Sequence, residues 1–233
     1  LSNHSKYKLI NNLKTNLYDT YGASEVGTIT NINLKNEKFK VSSLGKSTQN
    51  YKIYIKKDNK LLTSKNVEGE IYCKTKNIFN GYYKSSNTSL NKKNLFATGD
   101  LGYLDSKGYL YLTGRKKDII IRGGINIYPL DIEKVLNKFP IITESAVIGV
   151  KDSKFGESIC ALIKIKNNFK IDDRLLLNYC IKNLADYQLP SKIYSVSEFP
   201  RGSLNKISKY EIKKNIKKYV KNQNIIFNNN TSF

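Results

Sequence analysis

Five short segments of this 233-residue chain carry side chains suited to handling a phosphorylated ligand. The first, Tyr21-Gly22-Ala23-Ser24-Glu25, joins a glycine that permits a tight turn after a strand to a hydroxyl and a carboxylate that can meet phosphate and Mg2+. In the second, Phe96-Ala97-Thr98-Gly99-Asp100-Leu101-Gly102, a carboxylate follows a Thr-Gly turn and can accept two hydrogen bonds from a vicinal diol. The third, Gly114-Arg115-Lys116-Lys117-Asp118, offers the planar fork of Arg115. The fourth, Arg122-Gly123-Gly124, pairs glycines that allow another chain or ligand to approach the backbone closely. The fifth, Pro200-Arg201-Gly202-Ser203-Leu204-Asn205-Lys206-Ile207, ends in a long cationic stem that can stabilise negative charge developing in a reaction. Taken singly, the first four read more readily as a strand-end turn, a capping aspartate, a solvated arginine and a strand-to-turn connection. Their order and domain-scale spacing are what favour the chemical reading.

These residues need a scaffold, and the pattern along the chain supplies one. Residues 1 to 16 read as a polar helix or loop, and Leu17-Tyr18-Asp19-Thr20-Tyr21 as a short apolar piece ending at glycine. From Thr28 to Thr113 short alternating strands follow, among them 51–55, 69–73 and 109–112, broken by Gly and Asn turns. They predict a small antiparallel barrel or sheet. After Gly114 the pattern changes. Ile119 to Ile121 read as a buried strand and Gly123-Gly124 as its break; Pro129 stands where a helix can begin, with Ile132, Val135, Leu136 and Phe139 on one stripe. Strands are expected at 146–150, 159–163 and 193–196. A helix capped by Asp172 is expected to turn Leu175, Leu176 and Tyr179 inward, and a lysine-rich helix to follow Ile207. The predicted fold class is α+β: a β-rich, barrel-like portion over 1–114, a hinge at 115–118, a small α+β domain over 119–220 and a loose tail over 221–233.

Composition narrows the chemistry. With 40 Lys and Arg against 19 Asp and Glu the formal charge is +21, but the lysines are spread evenly beside many asparagines rather than drawn into a stripe. No specific nucleic-acid role is expected; the field favours polyanionic small molecules instead. A single histidine, His4, excludes a His-based triad or a multi-His metal site within the chain. Cys73, Cys160 and Cys180 show no paired spacing and read as reduced, buried thiols. No apolar run is long enough to span a bilayer and no leader is visible, so a cytoplasmic location is the default expectation. Methionine is absent, and a chain that opens at Leu1 is expected to be processed or cut from something longer.

The five segments together resemble the acyl-adenylate-forming (AMP-binding) enzymes, a superfamily of acyl-CoA synthetases, peptide-synthetase adenylation domains and luciferases. The resemblance implies ATP, Mg2+, a carboxylic acid and CoA as the ligands. It implies that Tyr21 stacks on adenine beside Gly22, that Ser24 contacts phosphate and that Glu25 binds Mg2+. Asp100 would grip the ribose, and Arg115 would reach ribose and phosphate. Lys117 would be the hinge about which the small domain swings, Gly123 and Gly124 would line the path of the pantetheine arm, and Lys206 would bridge carboxylate and α-phosphate during adenylation. The family more often has Thr at Ser24 and Gly at Asn205; Ser keeps the hydroxyl, and Asn tolerates left-handed backbone angles.

The stretches 139–150, Gly156-Glu157 and 187–190 also resemble the family's small domain and read as scaffold. Asn126-Ile127-Tyr128-Pro129 leans toward acyl-CoA synthetases. A carrier protein as acyl acceptor is the alternative, and a non-enzymatic binding module the third reading. The resemblance spans residues 9 to 219, about the last two-fifths of a full-length member, so a carboxy-terminal fragment, inactive alone, is expected. The Ser/Thr/Gly-rich phosphate loop of the family has no counterpart.

Overall fold

The computed structural model describes residues 3–81, 94–202, 205–220 and 225–228; Ser203 and Leu204 of the fifth segment lie outside them. The chain divides into two compact units, Leu1–Lys116 and Lys117–Phe233. Both mix strands with few helices, so the architecture is α+β and rich in strands.

In the first unit, α1 (Asn3–Asn12) precedes an antiparallel sheet of β1 (Tyr18–Ala23), β2 (Gly27–Asn33) and β3 (Lys46–Ser47). A second antiparallel sheet holds β4 (Lys52–Lys57), β5 (Lys60–Leu62), β6 (Gly69–Lys74), β7 (Leu95–Leu104) and β8 (Leu110–Arg115), in the order β5-β4-β6-β7-β8. Alternation along each strand turns one set of side chains inward. Ile29 of β2 and Val26 of the turn before it therefore share a core with Ile53, Ile55, Ile71, Phe96 and Leu110 from the second sheet. Asp58 and Asn59 both adopt positive φ, which closes β4 onto β5 with a two-residue turn.

The β7–β8 turn rests on Asp105. Its carboxylate accepts the backbone N–H groups of Lys107 and Tyr109, each at 2.9 Å, and the Lys40 ammonium at 2.5 Å. Burial would push this carboxyl up, but the Lys40 ammonium and the two N–H groups outweigh it and hold it below the usual carboxylate range. A depressed folded value means that the stabilisation is present above the unfolded pKa of about 3.9 and is lost as pH falls through the lower folded value. Asp105→Asn is therefore expected to cost about 1–2 kcal/mol at neutral pH and to flatten the acid side of the stability profile. Denaturant unfolding of the two proteins between neutral pH and pH 3 checks this, and parallel profiles would refute it.

The second unit starts with the hairpin β9 (Ile120–Arg122) and β10 (Ile125–Ile127), followed by α2 (Pro129–Leu136). Then come β11 (Ile142–Asp152), β12 (Gly156–Ile165), α3 (Asp173–Asn183), β13 (Lys192–Ser195), α4 (Lys209–Lys214), α5 (Ile216–Val220) and β14 (Ile225–Asn228). β12 is central: it pairs antiparallel with β11 and parallel with β13. The apolar runs of β11 and β12 are buried on both faces. Val147, Ile159, Ala161 and Ile163 face one core with Ile132, Leu136 and Leu176, and Ala146, Ile148, Cys160 and Leu162 face another with Val196, Phe199 and Ile212.

Pro129 opens α2 in its first turn, and Asp172 caps α3 by accepting from Arg174 and Leu175 N–H at 2.8 and 3.2 Å. Glu133 on α2 is buried and ties three elements together. Its carboxylate accepts Val147 N–H of β11 at 2.8 Å and the Lys209 ammonium of α4 at 2.7 Å. Burial raises this carboxyl, while Lys209 and the Val147 N–H pull the other way.

Two expectations are corrected. Leu175 is 59% exposed, because the buried stripe of α3 runs through Leu176 and Cys180, four residues apart, and Leu175 sits about a quarter-turn away from it. Residues 225–228, expected within a loose tail, form β14 antiparallel to β13, as the β-branched and aromatic run Ile225-Ile226-Phe227 allows. The three cysteines are buried, and burial pushes the Cys73 and Cys160 thiols up to about 12 and that of Cys180 to about 11. Among the described residues no helix is long and apolar enough to cross a membrane.

Candidate active site

Within the first unit the structure brings Tyr21, Asp100 and Arg115 together. Asp100 does not follow a turn, as expected, but lies inside the ten-residue strand β7. Ala97 pairs with Tyr72 and Leu101 with Glu70, so Thr98, Gly99 and Asp100 oppose Ile71 alone and bulge out of the ladder. Thr98 Oγ1 ties the bulge down, donating to the Ile71 carbonyl at 2.9 Å and accepting Asp100 N–H at 3.1 Å, while Gly99 takes φ +74°. The bulge frees Asp100 from the β6 ladder while leaving it paired with Arg115 of β8.

Both carboxylate oxygens are then oriented. Tyr21 Oη donates to Oδ2 at 2.8 Å, and Arg115 Nε, at the end of β8 and in register with Asp100, lies 3.1 Å from Oδ1. The Asp100 side chain is 13% exposed against 51% for Arg115, so the guanidinium keeps donors free toward solvent. Burial, with the Asp100 charge beside it, pushes the Tyr21 hydroxyl up, and it therefore serves as a donor at any physiological pH. A diol approaching Asp100 meets a carboxylate with a lone pair on each oxygen still available and its rotation already stopped.

Ser24 and Glu25 occupy the tip of the β1–β2 hairpin, where Val26 N–H closes the turn onto the Ala23 carbonyl at 3.1 Å. Gly22 does not make that turn. It lies in β1 next to a register shift, and a Cβ there would collide with the carbonyl oxygen of Gly27 across the hairpin. The glycine is required for close backbone approach, not for the bend. The hairpin tip is anchored on two sides, by Tyr51 Oη donating to the Val26 carbonyl and by Phe79 N–H donating to the Glu25 carbonyl at 2.8 Å. Ser24 is exposed and Glu25 half-buried. One hydroxyl beside one carboxylate is an oxygen donor set that Mg2+ accepts when substrate phosphates and water complete its shell. Among the described residues no group of three or more His, Cys, Asp or Glu could hold a metal by itself.

In the second unit, Lys117 is exposed in a single 3-10 turn spanning Lys116–Asp118. Gly123 and Gly124 take φ +56° and +82° and form the two-residue turn between β9 and β10. Two successive positive φ values suit a turn whose twist matches the strands. Gly123 N–H donates to the Phe155 carbonyl at 2.9 Å, and the Arg122 guanidinium stacks 5.0 Å from the Phe155 ring centroid. The turn is thus held against the loop between β11 and β12.

Lys206 lies at the base of a small loop. Arg201 bridges Ile207, Gly202 N–H donates to the Lys206 carbonyl at 2.8 Å, and Ser208 N–H donates to the Pro200 carbonyl at 2.8 Å. Asn205 takes φ +59°, the left-handed angle a glycine would supply. The Lys206 side chain is exposed and makes no hydrogen bond or ion pair among the described residues. Sequence reasoning missed Thr98 and Arg201. Both were quoted within motifs, but the bulge that gives Thr98 its task and the loop contacts of Arg201 depend on chain segments that meet only in the fold.

Comparison with known proteins places two family models on the chain: AMP-binding enzyme over residues 2–83 and AMP-binding enzyme C-terminal domain over residues 131–206. The 2-succinylbenzoate–CoA ligase of Bacillus cytotoxicus is 34% identical over 200 residues, which cover 84% of this chain and 41% of that protein. The o-succinylbenzoate CoA synthetase of Bacillus subtilis has been solved with its acyl-adenylate intermediate. It superposes with a TM-score of 0.80 at 29% identity, covering 92% of this chain and 43% of that one. The same enzyme with ATP and magnesium ion gives a TM-score of 0.77 at 29% identity, over 91% and 43%. The chain spans about two-fifths of the length of the curated relatives it matches.

Proposed function

This chain belongs to the acyl-adenylate-forming (AMP-binding) enzyme superfamily, most like the carboxy-terminal part of an AMP-forming acyl-CoA synthetase, and from that premise we propose that it serves a ligase reaction. In that reaction a carboxylate and ATP form an acyl-adenylate and pyrophosphate, and CoA then displaces AMP to give acyl-CoA. The observation that carries the reading is the Tyr21–Asp100–Arg115 cluster, a pre-oriented acceptor for a ribose diol flanked by a guanidinium.

In this reading Asp100 accepts both ribose hydroxyls, and Tyr21 presents its ring to adenine while its hydroxyl holds Asp100 in place. Arg115 turns its free donors to ribose and phosphate. Ser24 donates to phosphate, and Glu25 completes the shell of Mg2+, which, when bound, offsets phosphate charge. Lys206 brings its ammonium to the carboxylate and α-phosphate, where charge builds in the adenylation transition state. Lys117 takes the backbone rotation that exchanges the Lys206 loop for the Gly123-Gly124 turn, and that turn admits the pantetheine arm for thioester formation. The cytoplasm is the compartment proposed.

The acid named by the relatives, 2-succinylbenzoate, is the first substrate to try. The complete reading frame containing this sequence, given ATP, Mg2+ and CoA with a panel of carboxylic acids headed by that one, is expected to release AMP and pyrophosphate only with acid present and to form the CoA thioester. The 233-residue chain by itself is expected to be inactive. AMP release without acid, or acyl transfer to a holo-carrier protein in place of CoA, would overturn the assignment.

A further inference from the structure

We propose that Arg201 and Glu144 are positioning residues for Lys206, a role that rests on the functional reading above. Arg201 makes two sets of contacts from one rigid plane. Its Nη2 lies 2.8 and 2.7 Å from the two carboxylate oxygens of Glu144, and its Nη1 donates to the Asn205 carbonyl at 3.1 Å. Asn205 immediately precedes Lys206 and is the residue in the left-handed conformation. Glu144 stands on β11, at the register shift beside Ile142, with its strand neighbours Ala146 to Ile148 fully buried. A continuous path therefore runs from the packed sheet through Glu144 and the guanidinium to the peptide that carries Lys206.

The chemistry of the pair fits orientation better than stability. Both side chains are about a third exposed, 32% and 30%, a setting in which an ion pair adds little to the folding free energy. The geometry, however, asks for a donor with two arms at a fixed angle. Arginine has it; lysine, a point charge with rotating donors, cannot serve Glu144 and the Asn205 carbonyl from the same directions. The base of the loop is held while the lysine stem stays exposed. Lys206 then reaches a closed site with the Asn205 carbonyl before it and its own carbonyl already held, so less entropy is lost as the ammonium reaches the reacting atoms.

The test has two arms. In the 233-residue chain, hydrogen exchange is followed at the Gly202 amide, which donates to the Lys206 carbonyl, in the unaltered protein, Arg201→Lys and Glu144→Ala. Exchange about tenfold faster in both variants is expected, with amides of β11 and β12 unchanged. In the complete protein, Arg201→Lys is expected to lower kcat for adenylation about tenfold at constant KM for ATP, and Glu144→Gln, which keeps one acceptor oxygen, to recover part of what Glu144→Ala loses. Thioester formation from supplied acyl-adenylate is expected to be unaffected. Unchanged exchange, or equal loss in both half-reactions, would overturn the positioning role. Adenylation that Arg201→Lys leaves intact would overturn it alone; absence of adenylation by the unaltered protein would overturn the functional reading along with it.

Discussion

Lys206→Ala in the complete protein is expected to slow adenylation by 10²- to 10³-fold, about 3–4 kcal/mol of transition-state stabilisation, while sparing thioester formation from supplied acyl-adenylate. In the role proposed for Lys206, the size follows from removing a cation from the point where charge develops. The selectivity follows from where the residue sits. Its side chain is exposed, makes no hydrogen bond or ion pair among the described residues, and occupies a loop separate in sequence from the Gly123-Gly124 turn assigned to the second half-reaction. The same exposure predicts unchanged folding, so thermal unfolding of the variant should match that of the unaltered protein. Pyrophosphate exchange and single-turnover thioester formation measure the two halves, and equal loss in both contradicts the assignment.

The second large effect is expected at Asp100. In the role proposed for it, Asp100 is a charge-assisted acceptor for two ribose hydroxyls, and Asp100→Ala is expected to lower kcat/KM for ATP about a hundredfold, ~3 kcal/mol if each hydrogen bond is worth about 1.5. The loss should also spread through the structure. Tyr21 Oη would lose its 2.8 Å acceptor in a half-buried position and Arg115 its 3.1 Å partner, so the first unit should lose about 1–2 kcal/mol of stability as well. ATP binding by calorimetry, together with denaturant unfolding, separates the two. A variant that kept its ATP affinity would remove Asp100 from the nucleotide site.

The order of the five segments already identified the superfamily from sequence, because each motif demands particular residue types: glycines where the chain must turn or a ligand approach the backbone, a carboxylate for a diol, a lysine for developing charge. Pro129 and Asp172 marked the starts of α2 and α3, and the stripe through Ile132 and Leu136 the face of α2, for equally local reasons. Asn205 could be read as a stand-in for glycine because left-handed tolerance is a property of the residue itself, and its φ of +59° agrees.

What the sequence could not determine depends on segments that lie far apart in it. That Asp100 stands on a bulge depends on one residue of β6 facing three of β7, a count set only when the strands pair. That Gly22 serves close approach across a hairpin, and not a turn, depends on how Gly27 returns beside it. The Tyr21–Asp100 hydrogen bond joins residues 79 apart, and the Arg201–Glu144 contact residues 57 apart. The motifs specified which groups the chemistry would use, because composition and spacing are local. Which oxygen each group faces, and what holds it still, was decided by tertiary structure, because a hydrogen bond between distant segments forms only once strand register and core packing have brought them within about 3 Å.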